Sequence, residues 1–157
     1  DAGRYRTLAA SVTPDQIMDV RLQIEPYLAQ LAAEHITPQS AEQLRVLMQN
    51  SCETQTAAAY DLADETFHYR IAELAENPLF FEIYQLIRQL RKESGWRERR
   101  AETNVPSFLK ATAAQHRAIY SAIAEGDGLQ ADAAVRVHLE YVADAIAEKT
   151  GGKRAQI

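Results

Sequence analysis

Four side chains with metal-binding chemistry lie on the apolar faces of three predicted helices. Asp64 and His68 are one helical turn apart, and His116 and His138 follow on two later helices. Residues four apart leave the same face of a helix. A buried polar group without a partner costs roughly 1–3 kcal/mol, and a charged one costs more. The pattern therefore predicts that one divalent cation satisfies all four groups.

The ligand types narrow the choice of metal. Imidazole suits zinc, nickel, copper and iron, and a carboxylate adds charge compensation and tolerance for manganese. We expect zinc first, with nickel or manganese as alternatives. Four protein ligands leave up to two positions of an octahedral site for water or an anionic ligand. The simpler alternative is that each histidine is a satisfied core residue and that Asp64–His68 is an ordinary intrahelical pair.

The helices that must position these residues are indicated by apolar residues recurring at three or four, and no strand-like alternation of useful length is present. The spacing predicts an all-α antiparallel bundle of about six helices. Caps followed by proline at Thr13-Pro14, Thr37-Pro38 and Asn77-Pro78 mark three helix starts. Pro26 should bend the first helix. The remaining boundaries are expected near 53–58, 76, 95, 103–107, 125–128 and 149.

Composition limits the function classes. The chain has 157 residues and a net charge of −5, which argues against nucleic-acid binding by this stretch. A single cysteine, Cys52, excludes an intrachain disulfide and fits a cytoplasmic protein. No apolar run reaches the roughly 20 residues of a membrane span. The unusual opening predicts a fragment, with a linker remnant at 1–13, an effector-binding and dimerisation domain at 14–150 and a frayed tail at 151–157.

The chain resembles the ligand-binding and dimerisation (FCD) domain of GntR-type transcriptional regulators of the FadR class. The resemblance spans roughly residues 17–147. It rests on His138 and on six stretches, namely Val20–Glu25, Leu31–Ala33, Asp64–His68, Glu76–Leu79, His116–Ile119 and Ala122–Asp127.

That resemblance implies a helical bundle of the six-helix subgroup that binds a divalent metal through one aspartate and three histidines. The matching positions are Asp64, His68, His116 and His138. It also implies a small, carboxylate-bearing effector at the metal, a homodimer and an N-terminal winged helix-turn-helix that binds DNA and is absent here. We expect the dimer face on the helices that begin at residues 14 and 78.

An organic-acid effector needs cations or donors opposite the metal. Arg21 and Arg88 are candidates because a guanidinium can bind a carboxylate through two parallel hydrogen bonds. Tyr84 and Tyr120 could donate hydroxyl groups. The alternatives are surface ion pairs for the arginines and core packing for the tyrosines. The charged run 91–100 is expected to be a solvated helix face or a contact with the missing domain.

Three functions remain open from the sequence. The first is a metal-dependent sensor domain without enzymatic activity. The second is a metal-dependent hydrolase or oxygenase in which the ion activates water. We find no general base beside the ligands, since Glu65 points about 100° away from Asp64 around the helix. The third is a metal-free dimerisation bundle.

Overall fold

The computed structural model describes residues 2–54, 56–93 and 103–149. Over these residues it contains seven helices and no strand, which confirms the all-α prediction. The helices are α1 (Ala2–Ser11), α2 (Pro14–His35), α3 (Pro38–Cys52), α4 (Ala57–Leu74), α5 (Pro78–Glu93), α6 (Pro106–Ala124) and α7 (Gly128–Lys149).

Side-chain caps mark the starts of α2, α3 and α4. The Thr13 hydroxyl accepts a hydrogen bond from the backbone N–H of Gln16 at 3.2 Å, and the Gln16 side chain accepts one from the backbone N–H of Thr13 at 3.0 Å. The two bonds together form a capping box. Thr37 caps α3 in the same way with Ser40. Thr56 supplies the cap of α4, so the unmarked break predicted near 53–58 is confirmed.

The helices pack around a core in which α2 and α7 lie side by side. α6 packs against α7 and α3, and α4 packs against α2 and α3. Met18, Leu44, Phe67, Ile119 and Leu139 are fully buried at the centre. The apolar faces of α4, α6 and α7 therefore meet in one interior, and this places their polar residues near one another.

The first segment contains a helix that was not predicted from the sequence. Ala2–Ser11, within the predicted linker remnant at 1–13, is helical and packs against α5. Ala9 is the only buried residue of α1. A helix that buries so little needs no apolar repeat, and its sequence therefore did not indicate it. The predicted break at Gly95 and the tail at 151–157 lie outside the described residues. Within the described helices, none is long and apolar enough to cross a membrane.

Candidate metal centre

The structure brings together the four residues proposed as metal ligands. Asp64 and His68 come from α4, His116 from α6 and His138 from α7, and all four are buried. One ligand atom of each residue lies within 4.8 Å of the ligand atoms of the others. Three helices distant in sequence thus converge on one point in the interior.

The distances between the ligand atoms suit a small cation. The Oδ1 atom of Asp64 lies 3.2 Å from Nε2 of His68 and 3.0 Å from Nε2 of His116. The Nε2 atoms of His68 and His138 are 3.3 Å apart. Ligands 2.0–2.1 Å from a zinc ion lie about 3.3 Å apart in a tetrahedron and about 2.9 Å apart in an octahedron. These three separations therefore fit a first-row divalent metal, and all four ligand atoms lie within 4.8 Å of one another.

The protonation of the cluster also favours cation binding. Burial would raise the pKa of Asp64, but the neighbouring His68 and His116 outweigh it and hold that pKa well below its usual range. Burial, together with the charges of His116 and His68, holds the pKa of His138 well below its ordinary value. At neutral pH the site thus offers a carboxylate and at least one neutral imidazole, which are the forms that bind metals.

A second polar group lies beside this centre, between α2 and α5. Arg21 is buried and pairs with Glu25 one turn away through both Nε and Nη2, the latter at 3.2 Å from Oε1. The Arg21 guanidinium outweighs burial and lowers the pKa of Glu25 to about 2. The other side of the Glu25 carboxylate faces His68, with Oε1 3.5 Å from Nδ1. The arginine predicted to bind an effector is therefore already paired with an internal carboxylate.

A small cavity opens between these two groups. Its volume is about 10 Å³, roughly the space of one water molecule. The phenolic oxygen of Tyr84 is buried there and has no hydrogen-bond partner among the described residues. The lining combines the polar Glu25, His68 and Tyr84 with the apolar Leu28, Ile71, Ala72 and Val135.

The other two effector candidates lie elsewhere. The Arg88 side chain is 34 % exposed, forms an ion pair with Glu65 at 2.6 Å and lies over the Tyr69 ring. Tyr120 is half-buried and packs against the main core. Neither residue lines the cavity beside His68. Arg88 instead forms a partly solvated ion pair, which was the alternative to effector binding.

Arg91 was missed from the sequence. The run 91–100 was expected to be solvated, yet Arg91 is only 8 % exposed. Burial, and then the charge of Arg21, lower the pKa of Arg91. Arg91 follows Tyr84 by seven residues, and this spacing placed both on one face of α5. The rest of the run, from residue 94 to 100, lies outside the described residues.

Comparisons with known proteins agree with this architecture. The FCD domain model matches residues 16–141. The chain belongs to the FCD family. It is 31% identical over 137 residues to the HTH-type transcriptional regulator LutR of Bacillus subtilis (strain 168), covering 83% of this chain and 61% of LutR. The resemblance to the FCD domain of GntR-type regulators is thereby confirmed.

A solved structure shares the fold. Streptococcus agalactiae GntR superimposes with a TM-score of 0.63 at 22% identity, over 91% of this chain and 60% of that protein. The chain thus spans about three fifths of the length of both relatives.

Proposed function

We propose that this FCD domain binds one divalent transition metal ion, zinc in the first place, and uses it to sense a small carboxylate metabolite. The ligands are Asp64, His68, His116 and His138. The observation that carries the proposal is the convergence of four ligand atoms, all within 4.8 Å of one another, in a buried site. Three of their separations are 3.0–3.3 Å. Zinc, nickel and manganese all accept such a donor set.

The effector site adjoins the metal. A cavity that reaches His68 carries the Tyr84 hydroxyl, which has no described protein partner, and Arg21 lies next to it. A ligand with a carboxylate and a hydrogen-bonding group would use the ion, this hydroxyl and the guanidinium together. Because the cavity has the volume of one water molecule, such a ligand requires the space between α2 and α5 to widen.

The output of the sensor is a change in a dimeric regulator. We infer a cytoplasmic homodimer in which effector binding alters how two N-terminal winged-helix domains are presented to DNA. The outward stripe of α2 supports the dimer face predicted on α2 and α5, since Val20 and Tyr27 are more than two-fifths exposed. The Tyr27 ring packs on Phe80 of α5 with centroids 5.5 Å apart, so the apolar stripe continues across both helices.

Elemental analysis of the purified, tag-free domain tests the metal. After incubation with zinc and desalting, we expect about one equivalent per chain, and none in His116→Ala. The matched control is His35→Ala, because His35 is an exposed histidine at the end of α2. A wild-type domain that retains no zinc, nickel or manganese would reduce the four residues to core packing.

Calorimetry with the zinc-loaded domain then tests the effector. We expect a short mono- or dicarboxylate to bind and to be recovered chemically unchanged. Conversion of the added acid, or of an ester or amide derivative, would favour the hydrolase alternative. Binding that is equal with and without zinc would separate the effector from the metal.

A further inference from the structure

Each imidazole of the cluster has a hydrogen-bond acceptor opposite its metal-facing edge. The Nδ1 atom of His116 lies 2.8 Å from the Ser51 hydroxyl oxygen, and Nδ1 of His138 lies 2.7 Å from Oε1 of Gln115. The third ring, His68, has the Glu25 carboxylate 3.5 Å from its Nδ1. All three Nε2 atoms thus point inward while all three Nδ1 atoms meet an oxygen.

The Ser51 contact fixes the direction of one hydrogen bond. The Ser51 hydroxyl oxygen is 2.6 Å from the carbonyl oxygen of Met48, which can only accept. The single hydroxyl proton is used there, so the hydroxyl oxygen accepts from Nδ1–H of His116. This places the proton on Nδ1 and leaves the Nε2 lone pair for a cation.

Gln115 and Glu25 act in the same direction. The amide oxygen of Gln115 faces Nδ1 of His138 and can only accept, so this ring also carries its proton on Nδ1. The Glu25 carboxylate is an acceptor held in place by Arg21. Three acceptors from α2, α3 and α6 thus favour the same tautomer in three rings.

We propose that Ser51, Gln115 and Glu25 are positioning residues that select the Nδ1–H tautomer of the three histidines and hold each Nε2 toward the metal. This inference rests on the proposed metal site. Such outer partners orient metal-bound imidazoles and raise their basicity, and their loss typically lowers metal affinity by about 10–100-fold. Ser51 also connects the last turn of α3, which supplies no ligand, to the metal centre.

No local sequence pattern indicates these roles. Ser51 stands near the end of a helix, where a hydroxyl commonly bonds its own backbone. Gln115 precedes a predicted ligand but points to the next helix, because adjacent residues differ by about 100° around a helix. Ser51 and Gln115 are identified as ring partners only by their hydrogen-bond distances to His116 and His138 in the structure.

Two substitutions and two matched controls test the proposal. Ser51→Ala and Gln115→Leu remove one acceptor each, and zinc affinity is measured by competition with a chromophoric chelator. Gln115→Glu keeps an acceptor oxygen at a half-buried position. Thr112→Ala removes another buried hydroxyl, one that bonds the Leu109 carbonyl of its own helix at 3.2 Å.

We expect zinc affinity to fall about 10–100-fold in Ser51→Ala and in Gln115→Leu. Thr112→Ala and Gln115→Glu should stay within about threefold of wild type. Nitrogen-15 NMR of the histidine rings in the zinc-loaded domain provides an independent readout. The Nδ1–H signal of His116 alone should change in Ser51→Ala, and that of His138 alone in Gln115→Leu.

The outcomes separate this inference from the metal site itself. Zinc binding of wild-type strength in both variants, with unchanged ring signals, overturns the positioning roles and leaves the metal site standing. An equal loss of affinity in Thr112→Ala would reduce the effect to general packing and also overturns them. A wild-type domain that binds no metal overturns both proposals, and Nε2–H signals for His116 and His138 would contradict the tautomer directly.

Discussion

The two polar regions inside this bundle differ in how completely the protein prepares them. At the proposed metal centre, the ligand atoms lie within 4.8 Å of one another, and the Nδ1 atom of each ring faces an oxygen atom. Between α2 and α5, by contrast, Arg21 is paired with Glu25 and the cavity has room for about one water molecule. The proposed metal site needs no large rearrangement to accept an ion, whereas the second region would have to rearrange to admit a ligand larger than water.

This difference suggests a division of labour. A preformed metal site binds without a change of shape and so carries no signal by itself. A region in which a ligand must displace an internal ion pair or separate two helices couples binding to conformation, because the ligand then favours one state over the other. α5 lines the cavity through Tyr84 and also contacts α1, so a movement of α5 would act on α1.

The largest predicted effect comes from removing the residue shared by both regions. His68 contributes Nε2 to the metal centre and also lines the cavity. His68→Ala should therefore lose zinc and carboxylate binding together, both measured by calorimetry, with a larger loss of zinc affinity than the 10–100-fold expected for outer residues. Carboxylate affinity retained in this metal-free variant would show that the two regions work independently.

The next effect compares two ion pairs. Arg21→Met should lower the free energy of unfolding by about 3–5 kcal/mol, because it leaves Glu25 charged and unpaired in the interior. Arg88→Met should cost about 0–1 kcal/mol, since the Arg88–Glu65 pair is partly solvated. Urea denaturation of both variants measures the difference. Equal costs would mean that Glu25 is compensated by other groups, His68 first among them.

These two arginines also show what a sequence can predict. The buried cluster of candidate ligands could be predicted because charged or polar residues interrupt apolar helical stripes at positions such as Asp64, His68 and His116. Arg21 and Arg88 were both candidates for binding the effector, because the pattern of one helix does not reveal which neighbouring helix covers it. The structure separates them by burial.

Features set by local signals could be predicted, and features set by tertiary contacts could not. The fold class and most helix starts followed from local signals such as Thr13-Pro14 and Asn77-Pro78. Ser51 and Gln115 could not be found in this way, because their roles depend on rings 65 and 23 residues away in the sequence. Arg91 was hidden inside a charged run, and α1 lacked an apolar stripe.

A smaller effect is expected from pH. Burial opposes a charge on His68, but Asp64 and Glu25 outweigh it and raise the pKa of that imidazole. Protons therefore compete with the metal at a higher pH than for free imidazole, whose pKa is about 6.5. Zinc affinity should fall as the pH drops below the pKa of the His68 imidazole, by about tenfold per pH unit for each proton displaced. Affinity that stays constant between about pH 8 and 5 would contradict imidazole ligation.

The smallest effect on stability is expected at Tyr84. Tyr84→Phe removes a buried hydroxyl that has no described protein partner, so the free energy of unfolding should stay nearly constant or rise slightly. Affinity for a carboxylate effector should nevertheless fall, because the hydroxyl is available only to a ligand in the cavity. Tyr120→Phe is the matched control, since Tyr120 is a half-buried tyrosine outside that cavity. Unchanged effector affinity in Tyr84→Phe would place the ligand away from α5. The cavity lined by Tyr84 would then not be the effector site, and only the proposed metal site would remain.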